Sequence, residues 1–286
     1  MDHELPAIIQ YPVVVDGIAS RVLETGEGDN VIVCLHGAGS RADRWRPAIA
    51  RLASKGYHCY AIDYPGHGLA AKPAGYPYGT DAFGEFVHAY LESLDHQPLV
   101  LAGTSIGGLI AGELALRQPD RFSAICVIGA VGLIENEEKP NSSTSGGNIA
   151  ATGRDGIRAK LEYLVYDDSL VNEDWVSEEW RINSSPGATD ALAVLQAANA
   201  ARPPEAAIGR KLAGLDTPIA LFWGKDDLWV PVSNGYAAHE DIGKAPLFVM
   251  NDASHAPYYE RPDVFVDTFD LFLRDTTRFG TDVHVI

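Results

Sequence analysis

Gly103-Thr104-Ser105-Ile106-Gly107 is the segment of this chain whose residue types and spacing most directly imply chemistry. A serine between two glycines at G-x-S-x-G spacing, after an apolar run and before a helical one, is the pattern of a nucleophile presented on a sharp turn. Side chains in place of those glycines would collide with the neighbouring strand and helix. A serine hydroxyl is a weak nucleophile and needs a base. Of the nine histidines, His255 stands just past an apolar run at 246–250, on the segment before the last helix. His3 and His284 are terminal, His58 falls in a strand, and His88, His96 and His239 lie on or beside helices. His67, within Asp63-Tyr64-Pro65-Gly66-His67-Gly68, is expected to order a turn. A base also needs an orienting carboxylate. Asp226 and Asp227 follow the run ending Phe222-Trp223-Gly224, and Asp227 is assigned the role; the run at 122–128 is followed by no acid until Glu135. Ser105, Asp227 and His255 are therefore the expected catalytic residues.

His36-Gly37-Ala38-Gly39 follows another apolar run. Small residues there let a backbone N–H approach a carbonyl oxygen, so the N–H groups of Ala38 and Ile106 are the expected oxyanion hole. The loop has neither G-x-G-x-x-G nor a Walker lysine, which argues against a nucleotide site. The histidines lack metal-ligand spacing, and neither a metal nor a cofactor is expected. Cys34, Cys59 and Cys126 sit in apolar runs and read as reduced structural thiols.

The elements that must hold these residues follow from periodicity. Residues 11–15 and 21–24 flank Asp16-Gly17 as a hairpin. Apolar runs at 31–35, 57–62, 98–102 and 122–128 then alternate with helical patterns at 44–54, 81–94 and 106–117. This alternation predicts an α/β fold with a mostly parallel, doubly wound sheet; strands apolar throughout are covered on both faces. The rhythm breaks near 131. Residues 135–153 are polar and read as a mobile loop, and 154–209 hold helical patterns without a strand. Strands at 218–223 and 246–250 and helices at 233–242 and 262–274 follow. The expected organisation is a core of 1–130 and 211–286 with an inserted helical cap at 131–210.

The net charge is −17, from 39 acidic and 22 basic residues. Such a chain is repelled by nucleic acid and by anionic membrane surfaces. The first ten residues lack the basic and apolar regions of a secretory signal, and no apolar run approaches the ~20 residues of a membrane helix. A cytoplasmic protein acting on a small molecule, with no nucleic-acid or membrane partner, is expected; oligomeric state is not readable.

Together these features resemble the α/β-hydrolase superfamily over essentially the whole chain. Asp63–Gly68 resembles its turn after the second parallel strand, Gly224-Lys225-Asp226-Asp227-Leu228-Trp229-Val230-Pro231 its acid loop, and Ser254-His255-Ala256-Pro257 its histidine loop. The nearest look within the superfamily is to meta-cleavage-product hydrolases, which cleave a C–C bond in ring-fission products. It rests on His36-Gly37-Ala38-Gly39, chain length and the segment Tyr166-Asp167-Asp168-Ser169-Leu170-Val171-Asn172-Glu173-Asp174. Three positions depart from that family. Thr104 stands where Asn precedes the nucleophile, Glu179 where a cap arginine grips the substrate carboxylate, and Tyr259 where Trp follows the histidine. Arg181, two residues after Glu179, is the expected substitute grip. His36, Gly37, Thr104, Trp180, Arg181 and Tyr259 are thus the expected substrate contacts. The resemblance implies a serine hydrolase acting on a small, largely apolar ester or C–C substrate. The alternatives are cofactor-independent oxygenation by the His–Asp pair and a non-enzymatic ligand receptor.

Overall fold

A computed structural model describes residues 4–96, 98–138 and 153–286. It contains the strands β1 (Ile9–Val15), β2 (Ile18–Thr25), β3 (Val31–Leu35), β4 (His58–Ile62), β5 (Leu99–Thr104), β6 (Phe122–Ile128), β7 (Ile219–Gly224), β8 (Leu247–Met250) and β9 (Val283–Val285). They form one sheet in the order β1-β2-β4-β3-β5-β6-β7-β8-β9. β1 and β2 form the antiparallel hairpin, β2 runs antiparallel to β4, and the remaining pairs are parallel.

The helices are α1 (Arg46–Ser54), α2 (Thr80–Glu92), α3 (Ile106–Arg117), α4 (Gly153–Leu164), α5 (Glu173–Asn183), α6 (Ala188–Ala201), α7 (Gly209–Leu212), α8 (Val232–Ile242), α9 (Pro257–Glu260) and α10 (Pro262–Arg274). Alternate strand residues feed two cores. Val33 and Leu35 of β3 pack with Phe83 of α2, Ile110 of α3 and Ile242 of α8. Ile32 and Cys34 pack on the opposite face with Ile49 of α1 and Phe265 and Phe269 of α10. The sheet is therefore covered on both faces, which is why its central strands are apolar at every position rather than at every second one. The three cysteines are free and buried in the second core, and burial pushes their thiols up.

Between β6 and β7 the described residues form α4 to α7 and no strand. α4 and α5 share a small cluster of their own, with Ile157, Leu161, Trp175 and Val176 buried in it. The mobile loop expected at 135–153 falls mostly on residues outside the described ones. β9 escaped the sequence reading. It is three residues long, alternates in exposure and extends the sheet beside β8.

Register positions the site. Leu35 pairs with Ile62 and Gly103, Thr104 with Ile128, Ile128 with Phe222, and Gly224 with Met250. The segments after β3, β5, β6, β7 and β8 therefore leave one carboxyl edge. β4 lies on one side of β3 and β5 on the other, so the strand order reverses at β3/β5, where open α/β sheets form a crevice.

Candidate active site

Ser105 sits at φ 54° and ψ −124°, one of three non-glycine residues at positive φ among the described residues. Such backbone costs roughly 1–3 kcal/mol and persists only where neighbours enforce it. The Ser105 N–H donates to the Ile128 carbonyl at 2.9 Å, and the Ser105 carbonyl accepts from Gly108 and Leu109 at the start of α3. A Cβ at Gly103 would lie 2.1 Å from the Gly107 carbonyl oxygen, and one at Gly107 2.7 Å from that of Leu35. The two glycines are what allow the turn.

His255 and Ser105 line one cavity of about 750 Å3. The His255 Nδ1 lies 2.8 Å from Asp227 Oδ2. The other oxygen of Asp227 accepts the N–H groups of Trp229 and Val230, each at 2.8 Å. Asp227 and His255 are both buried, whereas Asp226 is exposed. The first acid of the pair thus points to solvent and the second to the histidine. With Nδ1 donating to Asp227, Nε2 is the ring nitrogen available to take a proton. Gly129, at φ 48°, passes beside this pair; a Cβ there would stand 3.1 Å from Asp227 Oδ2. The end of β6 makes room for the acid instead of supplying it.

The loop after β3 abuts the nucleophile, since a Cβ at Gly37 would lie 3.1 Å from that of Ser105. Gly37, Ala38, Thr104 and Ile106 all line the cavity. Ile106 opens α3, so its N–H is one of those a helix leaves unpaired. The Thr104 hydroxyl is buried without a partner among the described residues.

Four expected substrate contacts lie elsewhere. His36 is fully buried beneath its loop. Its Nδ1 lies 2.8 Å from the Gly37 carbonyl, its Nε2 accepts the Tyr64 N–H, and its ring packs 4.1 Å from that of Tyr64. Burial pushes this imidazole down to about 3, so it is a neutral strut. His67 is likewise buried, lowered to about 3 by desolvation, and belongs to its turn. Arg181 is exposed on α5 and does not line the cavity. Trp180 lies under the Arg154 guanidinium, away from the cavity. Helical spacing explains both: Glu179 occupies the inward face of α5, and the next two residues rotate outward. Tyr259 also stands outside the lining, packed on Trp175 at 5.0 Å; its neighbour Tyr258 lines the cavity instead.

Sequence reasoning missed the cations here. Glu179 is buried and accepts from Arg41, from Lys160 at 2.9 Å and from Asn183. Burial alone would raise its carboxyl, but Lys160, Arg41 and Arg44 outweigh that and hold it well below the usual carboxylate range. Arg44 is 5% exposed and lines the cavity. Its guanidinium stacks 4.2 Å over Trp175 and 5.1 Å from Tyr259, and comes no closer to Glu179 than 3.9 Å. Its Nε is buried without a partner among the described residues. Desolvation lowers this guanidinium. The available signal was the charge-dense Arg41-Ala42-Asp43-Arg44 directly after the loop of small residues.

The profile of the alpha/beta hydrolase fold family matches residues 30–262. The chain is 28% identical over 253 residues to the dihydrolipoyllysine-residue acetyltransferase component of the acetoin cleaving system of Cupriavidus necator. That match covers 88% of this chain and 65% of the relative, so the chain spans just under two thirds of that protein's length. It is 26% identical over 275 residues to 2-hydroxy-6-oxo-2,4-heptadienoate hydrolase of Pseudomonas putida, covering 91% of this chain and 95% of that one. Among solved structures, 2-hydroxy-6-oxo-6-phenylhexa-2,4-dienoate hydrolase from a Rhodococcus species superposes with a TM-score of 0.84 at 24% identity, over 94% of this chain and 99% of the other. At that identity the likeness speaks to the fold alone. A profile match across most of the chain, together with the parallel sheet and its inserted helices, shows that this protein belongs to the α/β-hydrolase fold family.

Proposed function

We propose that this hydrolase cleaves an ester or C–C bond beside a carbonyl, in a small and largely apolar substrate that carries a carboxylate, with Ser105 as nucleophile. The observation that carries the reading is Ser105 held at positive φ on the wall of the cavity that also receives His255, itself fixed by Asp227.

In this reading the His255 Nε2 takes the Ser105 proton as Oγ attacks the carbonyl carbon. The N–H groups of Ala38 and Ile106 stabilise the developing oxyanion, each donor contributing about 3 kcal/mol. Collapse breaks the bond to the leaving group, which takes the proton from His255. Water, deprotonated by His255, then releases the acyl group. For a C–C substrate, ketonisation of a dienol must come first so that carbon can leave.

Two features support the substrate class. Leu109, Val131, Ile134, Leu192 and Leu195 give the cavity apolar walls. Arg44 faces the same cavity as a buried cation without a close counter-ion, a role the exposed Arg181 cannot fill. The dienoate hydrolase relative agrees with such a substrate. The test is catalytic efficiency on a ring-fission dienoate against a neutral short p-nitrophenyl ester, each with the wild type and Ser105→Ala. Activity on either substrate that falls by at least ~10³-fold in Ser105→Ala supports the nucleophile. Unchanged activity in that variant overturns it. Preference for the dienoate supports the carboxylate class, and preference for the neutral ester removes it.

A further inference from the structure

The last turn of α4 and the residues after it touch all three loops that carry the proposed chemistry. The Lys160 Nζ donates to the Gly39 carbonyl at 2.6 Å, in the loop that holds Ala38. The Tyr163 hydroxyl donates to the Leu228 carbonyl at 2.7 Å, one residue past Asp227, and its ring meets Trp229 edge-on at 5.5 Å. The Leu164 carbonyl accepts the backbone N–H of His255 at 3.1 Å. The Tyr166 N–H donates to Glu260 at 2.6 Å. That same carboxylate accepts the N–H groups of Ser254 and Ala256, each at 3.0 Å, which bracket His255. Lys160 is 8% exposed and is anchored in turn on buried Glu179 of α5.

We infer that α4 is a positioning helix: through Lys160, Tyr163, Leu164 and the Glu260 carboxylate it sets the relative placement of the oxyanion, acid and histidine loops. These loops spring from three different strands, β3, β7 and β8; the sheet relates them from below, and the acid and histidine loops are also joined directly by the Asp227–His255 pair and by the Asp226 N–H on the Ala253 carbonyl at 3.1 Å. Seating α4 relates them from above. Lys160 fixes the Gly39 peptide in a turn that is otherwise closed by a long Ser40 N–H to Gly37 carbonyl bond of 3.3 Å. A displacement of about 1 Å between reacting groups can cost on the order of 100-fold in rate, so small losses of registration are visible in turnover. Lys160 and Glu260 act here as positioning residues: Lys160 borders the cavity, but it is bonded to the Gly39 carbonyl and to Glu179 rather than to Ser105, Asp227 or His255.

The inference rests on the Ser105 reading, and the experiment separates the two. An alkyl boronic acid, which forms a tetrahedral adduct on an activated serine, is titrated against wild type, Ser105→Ala, Lys160→Met, Lys160→Arg, Tyr163→Phe and Glu260→Gln, with kcat and KM measured in parallel. Lys160→Met is expected to lower kcat and boronate affinity together by roughly 10- to 100-fold, with KM within about twofold. Lys160→Arg, which keeps a cationic donor, should recover most of the loss. Tyr163→Phe, which removes only the hydroxyl and keeps the ring against Trp229, and Glu260→Gln, which sets an amide N–H against a backbone N–H, should each lower kcat several-fold without moving KM. If Lys160→Met fails to fold, these two variants decide. Wild-type kcat and boronate affinity in the variants that fold, or a change confined to KM, overturns the inference. Boronate binding that ignores Ser105→Ala overturns the Ser105 reading instead.

Discussion

Asp227 holds His255 through one carboxylate oxygen and its own loop through the other: Oδ2 lies 2.8 Å from Nδ1, and Oδ1 takes two backbone N–H groups at 2.8 Å each. The two backbone donors demand an oxygen. In Asp227→Asn the amide oxygen must therefore face them, which turns the NH2 toward His255. Nδ1 becomes an acceptor, the ring proton moves to Nε2, and the nitrogen facing the cavity can no longer take a proton from Ser105. Turnover should fall by about 10⁴-fold with little change in thermal stability. A loss below about tenfold would show that Asp227 does not set the tautomer.

The elbow makes a sharper steric claim. At Gly103 an added Cβ meets the Gly107 carbonyl at 2.1 Å, and backbone on both sides cannot yield. Gly103→Ala should cost more than about 4 kcal/mol or prevent folding. Gly84 in α2 has nothing within 4 Å of an added Cβ, and Gly84→Ala should stabilise by roughly 0.5–1 kcal/mol. Chemical denaturation of the two variants side by side checks the contrast. Equal effects would mean that the Gly103–Gly107 approach is not what fixes the turn.

The contrast between these glycines also shows what was legible in the chain. Strand runs and the G-x-S-x-G spacing are local patterns, and they located the sheet and the place of Ser105. The choice of Asp227 over Asp226 rested instead on the likeness of Gly224–Pro231 to the superfamily's acid loop, because Lys225 and Asp226 form a turn in which both side chains are exposed. The cavity walls are not local. Arg44 reads as the first turn of a surface helix, yet it is buried because Trp175 and Tyr259, 131 and 215 residues further on, close over it. Arg181 lies outside the cavity wall for the complementary reason: two residues on from Glu179, it stands on another face of α5. Helix rotation, not residue type, decides which charge looks inward.

Glu179 gives a prediction with a defined sign. Its folded carboxyl lies below the ordinary value of 4.5 because three cations outweigh its burial. The unfolded chain therefore takes up this proton first as pH falls. The stabilisation is complete above the unfolded pKa and is lost as pH drops below about 4.5 toward the folded value. In Glu179→Gln that share of the acid dependence should vanish. The variant should also lose roughly 3–5 kcal/mol at pH 7, because Arg41 and Lys160 remain buried with less compensation. Denaturant unfolding at pH 7, 5 and 4 measures both. A variant as stable as wild type at pH 7 would mean that Glu178 and Asp43 suffice for Arg41 and the Gly39 carbonyl for Lys160.

Arg44 separates a structural cation from one kept for a ligand. Held 3.9 Å from its nearest carboxylate, 4.2 Å over the Trp175 ring and 5.1 Å from that of Tyr259, it gains less than a paired guanidinium to offset its desolvation. Removing such a charge while keeping the volume should leave stability equal or improved, as for other residues retained for function. Arg44→Met is therefore expected to hold or raise the melting temperature. The same change should cost a carboxylate-bearing substrate roughly 2 kcal/mol or more in kcat/KM, about 30-fold or more, and leave a neutral ester within about threefold. Arg44→Lys should recover only part of the loss, because an ammonium cannot present the planar fork that matches a carboxylate. If instead Arg44→Met lowers stability and affects both substrates alike, the guanidinium is a pillar under Trp175 and Tyr259, and the anionic group of the substrate must be sought at another wall of the cavity.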